Sequence, residues 1–227
     1  MAIQISESLL SKLGSTLQGT LHTDTVMKTL YATDASAYRE MPLGVVIPET
    51  QEDLEKIIRF ADQYSIPLIP RTAGTSLAGQ VVGEGLVVDV SKFFDQILEI
   101  NVAESYVWVE PGVVRDVLNV ELKKHGLFFG PETSTANRAM IGGMLGNNSC
   151  GLHSIVWGNV RDHLLETRAI LADGSEIHTH PLTNEEFYKK TTLHNLEGQI
   201  YKELHRMLNN PDVQDNIQKS FPKPEIK

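Results

Sequence analysis

Apolar residues recur along this chain with two different periods, and the period changes at definable places. Ile5, Leu9, Leu10 and Leu13 fall at helical spacing before Gly14, so residues 3–30 are expected to be helical at intervals. Gly44-Val45-Val46-Ile47 is a continuous apolar run ended by Pro48, the pattern of a short buried strand. Thr50-Gln51-Glu52-Asp53 reads as a capping box that opens a helix with Leu54, Ile57, Ile58 and Ala61 on one face. Ile66 to Ile69 is a second strand and Leu86 to Val90 a third. Strand, helix and strand in such quick succession predict a right-handed crossover in a small parallel sheet.

The texture changes near residue 95. Gln96 to Asn101 and Tyr106 to Val109 read as two strands joined by a polar turn. Val113 to Lys124 returns to helical spacing through Val114, Val117, Leu118 and Leu122, with Gly126 as its stop. Leu165 to Leu171, Asp173-Gly174 and Glu176 to Thr179 form a hairpin signal. Thr183-Asn184-Glu185-Glu186 is a second capping box, and Ile200, Leu204, Met207 and Leu208 mark a late amphipathic helix. Phe221 to Lys227 offers no closing element and reads like a linker cut short, so the chain reads as an N-terminal fragment. The expected class is α+β. A small α/β lobe would cover about residues 25–95, and a second lobe with a mainly antiparallel sheet about residues 96–227.

With 227 residues the chain is long enough for a real core, and 41% hydrophobic against 22% charged residues fits a globular protein. The N-terminus shows neither a signal peptide nor a membrane span, and the single cysteine, Cys150, fits a reducing compartment. The expected location is therefore cytoplasmic. A net charge of −9 argues against nucleic acid as the main partner. It also means that a phosphate ligand would be held locally, by amides and Arg71, rather than by a basic field.

Two stretches could do this. One is Pro70-Arg71-Thr72-Ala73-Gly74-Thr75-Ser76-Leu77-Ala78-Gly79, directly after a strand. The other is Ile141-Gly142-Gly143-Met144-Leu145-Gly146-Asn147-Asn148-Ser149-Cys150-Gly151. Both read as loops, small and glycine-dense, able to present backbone N–H groups and hydroxyls to an anion. Gly74 and Gly79 are spaced as in a phosphate-binding P-loop, but Gln80 stands where the lysine belongs. No Gly-x-Gly-x-x-Gly follows a strand. Taken alone, the first loop fits a tightly packed glycine turn equally well.

In order along the chain, residues 42 to 180 resemble the FAD-binding domain of the PCMH (vanillyl-alcohol oxidase) superfamily. The branch it is most similar to is that of D-lactate and glycolate dehydrogenase flavin subunits. The matching residues are Val46-Ile47-Pro48, the loop Ile69 to Gly79, Val109-Glu110-Pro111-Gly112-Val113 and Pro131-Glu132-Thr133-Ser134. Ile141-Gly142-Gly143, Asn148, Gly151, Trp157-Gly158-Asn159-Val160 and Ala172-Asp173-Gly174 follow. The resemblance implies a PCMH-type FAD-binding fold with the cofactor between the lobes. Pro70 to Ser76, with Gly79, would wrap the FAD pyrophosphate. Pro131, Glu132, Thr133, Ser134, Ile141, Gly142 and Gly143 would line the flavin and its ribityl chain. Asn148, Gly151, Gly158 and Val160 would complete the cradle, and Ile177 would sit near the adenine.

The same resemblance implies oxidation of a 2-hydroxy acid with hydride transfer to the flavin. The electron acceptor is open, and the catalytic residues would lie in a substrate (cap) domain beyond Lys227. Covalent members of the family carry histidine where this chain has Thr75, so the FAD is expected to be noncovalent. Ala73 replaces a usual glycine and puts the local backbone in question, because alanine resists positive φ. Two rival functions stand beside this one: a flavin module that carries electrons without substrate chemistry, and an interaction domain whose cradle no longer binds. Cys150 is read as a small packed residue rather than a reactive thiol. No metal site is expected from His153, His163, His178 and His180, which read as scattered surface residues. Asp34 and Arg39 are read as holding a loop.

Overall fold

The computed structural model describes residues 6–221. They fall into two units, one reaching to Leu164 and one starting at Leu165. The first begins with α1 (Glu7–Gly14), β1 (Thr20–His22) and α2 (Thr25–Tyr31). The expected helices are there, but β1 interrupts them; Ile5 lies outside the described residues. β2 (Gly44–Ile47), α3 (Gln51–Tyr64), β3 (Leu68–Arg71) and β4 (Leu86–Asp89) follow. The sheet order is β1-β2-β4-β3, with β2 and β3 both parallel to β4 and β1 antiparallel at the edge. The parallel crossover follows from the alternation of apolar runs and α3. The edge strand β1 was not legible, because three half-exposed residues carry no period.

The core of this sheet is built by Val46, Leu86 and Val88 from the strands, Ile57 and Ala61 from α3, and Leu13 from α1. Ile57 and Leu86 are fully buried. Burial of an aliphatic side chain contributes about 1.5–3 kcal/mol, so this face of α3 is what holds the helix down. Thr50 caps α3 as expected, its hydroxyl accepting from the Asp53 amide. Asp53 does more than complete a box. Its two carboxylate oxygens accept from the amides of Gln18, Gly19 and Glu49 at 2.8–3.0 Å, in full burial.

β5 (Ile97–Asn101) and β6 (Tyr106–Val109) form an antiparallel pair that packs with α4 (Arg115–Lys123) through Val113, Leu118 and Leu122. The second glycine-dense stretch is not a loop throughout, as the sequence suggests. Residues Ile141–Gly146 form a short helix, α5, whose Met144 is buried with Ala139 and Val160. Apolar Ile141, Met144 and Leu145 override the low helix propensity of three glycines. α6 (Ser154–Trp157) and a 3₁₀ turn (Val160–His163) close the first unit.

The second unit contains the hairpin β7 (Thr167–Ile170) and β8 (Glu176–Thr179), then α7 (Asn184–Thr191), α8 (Leu196–Leu208) and α9 (Pro211–Ser220). The Thr183 capping box is complete, with Glu186 accepting from the Thr183 amide. α8 buries Glu197, Gly198 and Tyr201. Leu204, Met207 and Leu208, expected on its buried face, are 36–46% exposed. The residues beyond Phe221 that read as a linker lie outside the described residues.

Candidate cofactor cradle

β3 ends at Arg71, and the chain then leaves the sheet with its backbone amides unpaired. Among the described residues, the N–H groups of Thr72 to Leu77 donate to no protein acceptor. The stretch is nonetheless half-buried rather than loose up to Ser76. A run of unpaired amides costs free energy unless an acceptor or water satisfies it. Gly74 sits at φ +65°, the left-handed conformation that turns successive amides toward one concavity. Ala73 has ordinary negative φ, so its replacement of a glycine does not distort the loop.

Arg71 is engaged elsewhere. Its Nη1 donates to the carbonyls of Tyr31 and Thr33 at 3.3 and 2.9 Å, and its guanidinium lies 5.0 Å from the Tyr31 ring centroid. Tyr31 in turn donates to Asp89 Oδ2 at 2.5 Å. Burial and the Asp89 carboxylate push the Tyr31 hydroxyl well above its ordinary pKa, so it stays a donor. Arg71 thus braces the loop from behind. Tyr31 gave no signal in the sequence, because its partners are distant along the chain. Asp34 accepts from the Ser36 amide at 2.8 Å. Burial alone would raise its pKa; the Ser36 hydroxyl and amide and the Arg71 charge outweigh that and hold it low.

The second expected group comes close to the first. Gly143 at the start of α5 packs on Thr72, whose Oγ1 would lie 2.5 Å from any Cβ at position 143. Among the described residues the Gly143 amide is unpaired, whereas those of Ile141 and Gly142 donate to the carbonyls of Val113 and Pro111. The amides of Glu132, Thr133, Ser134 and Thr135 are also unpaired among the described residues. Their segment is held by Arg115, which donates from Nε to the carbonyl of buried Pro131 at 3.1 Å and from Nη2 to that of Phe129 at 3.2 Å.

Other expected residues shape the loops instead of presenting amides. Asn148 Oδ1 accepts from the Arg161 amide, and the amides of Asn148, Gly151, Gly158 and Val160 are satisfied internally. Gly151 lies against the Glu132 carbonyl, and Gly79 against the Tyr38 ring. Ile177 is buried on β8 in the second unit.

Glu132 Oε1 is 2.5 Å from His153 Nδ1, and this contact, with the His153 amide, holds the carboxyl below its usual range. His163 Nε2 lies 2.5 Å from the Trp157 carbonyl. The Trp157 ring packs edge-on to Phe128, centroids 5.0 Å apart. Cys150 is exposed, which corrects its reading as a packed residue: its loop turns outward between Ser149 and Gly151. Among the described residues no cluster of three histidine, cysteine, aspartate or glutamate side chains could hold a metal. No described helix is long and apolar enough to cross a membrane.

Known proteins resemble this chain in sequence and in fold. Residues 42–180, more than half of the chain, match the FAD binding domain family. The chain is 37% identical over 191 residues to D-2-hydroxyglutarate dehydrogenase of Pseudomonas putida, covering 83% of this chain and 19% of that protein. It is 32% identical over 154 residues to glycolate oxidase subunit GlcD of Bacillus subtilis, covering 67% of this chain and 33% of that one. Among solved structures, p-cresol methylhydroxylase with substrate bound superposes with a TM-score of 0.65 at 16% identity, covering 78% of this chain and 36% of that one. The likeness to the last shows the fold alone. The chain spans about a fifth to a third of the length of these curated relatives.

Proposed function

The chain belongs to the FAD binding domain family, and from that premise we propose that it is the cofactor-binding part of a dehydrogenase or oxidase of 2-hydroxy acids. Its cofactor is FAD. D-lactate, glycolate and D-2-hydroxyglutarate are the substrates this reading favours, in line with the relatives' activities. The observation that carries the reading is the run of unpaired amides from Thr72 to Leu77, with Gly143 packed against its first residue. These donors suit a pyrophosphate, which offers several acceptor oxygens and needs no lysine if enough amides converge. The amides of Glu132 to Thr135 supply a second donor set on a segment fixed by Arg115.

When bound, FAD supplies the two-electron acceptor; the protein's part is to bind, orient and shield it. Thr75 has no nucleophilic nitrogen for a flavin bond, so the cofactor is held noncovalently. The division into two lobes near residue 95, a separate substrate domain carrying the base, a cytoplasmic location and an unidentified electron acceptor complete the proposal. The test is FAD titration of the purified chain followed by acid precipitation. Saturable binding with all yellow colour in the supernatant is the expected result. Flavin left in the pellet would overturn noncovalent attachment, and no binding at saturating FAD would overturn the role of this chain as the FAD site.

A further inference from the structure

The residue after Gly79 is where a P-loop would place its lysine, and here it is Gln80. Its side chain makes two hydrogen bonds in opposite directions. The Ser76 hydroxyl donates to Gln80 Oε1 at 2.6 Å, and Gln80 Nε2 donates to Asn147 Oδ1 at 2.8 Å. Asn147 Nδ2 continues the line, donating to Ser149 Oγ at 3.1 Å. Ser76 Oγ also accepts from the amides of Ala78 and Gln80, which closes the loop on itself. At the far end, the Asn147 amide donates to the Gly143 carbonyl and the Ser149 amide to that of Met144. Ser149 is buried, so this end is anchored. The relay therefore runs from the loop after β3 to the C-terminal end of α5.

We infer that Gln80 is a positioning residue for FAD, tying the Thr72–Leu77 amides to the helix that presents Gly143. The inference rests on the FAD reading above. Its physical basis is preorganisation. Two donor sets on separate segments bind one ligand tightly only if their spacing is set beforehand; otherwise ordering them is charged against binding. Thr72 and Gly143 fix that spacing at one end of the loop. Gln80 and Asn147 fix it at the other, and two contacts define an orientation where one leaves a hinge. Glutamine suits the task because its amide both accepts and donates, which no lysine can do.

The test compares wild type with Gln80→Ala, Asn147→Ala, the double variant, and the exchange Gln80→Asn with Asn147→Gln. The exchange moves one methylene across the relay and keeps its total reach. FAD affinity is read by titration. Hydrogen exchange of residues 141–149 is read without FAD, so the relay is tested even if the chain binds no flavin. Each alanine variant is expected to weaken FAD about tenfold, the size of one or two neutral hydrogen bonds. The double variant should be no weaker than the worse single one, since both break the same line. The exchange variant should return to within about threefold of wild type. Exchange at Asn147 to Ser149 should speed up in Gln80→Ala while β2 and β4 stay protected. Wild-type affinity with unchanged exchange in Gln80→Ala would overturn the inference. So would additive losses, failure of the exchange variant to recover, or loss of protection throughout the sheet. Absence of FAD binding by wild type, with the expected change in exchange, would overturn the FAD reading and leave the relay standing.

Discussion

Thr72 Oγ1 stands where a Cβ on Gly143 would come within 2.5 Å of it, 71 positions apart in sequence, and this contact brings the two glycine-dense stretches together. It ties the exit of β3 to the start of α5.

Gly143→Ala should therefore act through Thr72. The new methyl forces the Thr72 side chain or α5 to shift, and FAD affinity should fall about tenfold with little loss of fold, a difference of about 1.4 kcal/mol. Adding Thr72→Ala removes the obstructing hydroxyl and should recover part of the loss. Titration of FAD into both variants, with circular dichroism alongside, measures this. Equal affinity in Gly143→Ala and wild type would place Gly143 outside the cradle.

Gly74→Val should be worse. Position 74 has φ +65°, a conformation costing an L-residue about 1–2 kcal/mol, more for a β-branched one. Its Cβ would also lie 2.5 Å from Arg71 Nη2, the guanidinium that braces the loop. We expect FAD binding to be abolished and the melting temperature to drop by about 2–8 °C. A melting temperature and affinity like wild type would refute the strained turn.

Asp53 is a stability residue with a defined pH signature. Burial would raise its pKa, but the amides of Glu49, Gln18 and Gly19 outweigh burial and lower it below the ordinary carboxylate value. A carboxyl whose folded pKa is depressed stabilises above its unfolded pKa, and that contribution is lost as pH falls through the folded value. Asp53→Asn places an N–H₂ against amide donors and should cost about 2–4 kcal/mol near neutral pH. The difference from wild type should shrink below about pH 4, where the unfolded carboxyl protonates. Urea melts at pH 7 and pH 3.5 test this. A penalty independent of pH would mean the ionised carboxylate is not what stabilises the fold.

The chain alone should not oxidise 2-hydroxy acids. Under the proposal the base sits in another domain, and proton transfer by a placed base contributes about 10²–10⁴-fold. Anaerobic mixing of the FAD-loaded chain with D-lactate, glycolate or D-2-hydroxyglutarate should leave the absorbance near 450 nm unchanged over seconds. Rapid bleaching would locate the base within these residues. His153, paired with Glu132, and His163, against the Trp157 carbonyl, would then be the first to substitute.

Local pattern alone was enough for the parallel strands, α3 and its Thr50 cap, the β5–β6 and β7–β8 pairs and the Thr183 box. Each depends on neighbours a few residues away, and the apolar period of those neighbours survives in any context. The glycine content of 70–79 and 141–151 pointed to the backbone as the proposed binding surface. Among the described residues the amides of Thr72 to Leu77 and of Gly143 are unpaired, whereas those of Ile141, Gly142, Asn148 and Gly151 are satisfied within the fold. Other features needed the fold. β1 exists because β2 offers it an edge, and α5 because Met144 finds a place with Ala139 and Val160. Arg71, unpaired on paper, turns to Tyr31 and Thr33, and Asp53 reaches across to Gln18 and Gly19. Gln80 looks like a failed P-loop lysine until Asn147 is beside it. For Arg71, Asp53 and Gln80 the deciding partner lies more than 30 residues away, and β1 and α5 are too short to carry a period of their own. Whether a side chain becomes brace, tether or ligand is settled by the groups that packing delivers to it, and a linear pattern does not carry that information.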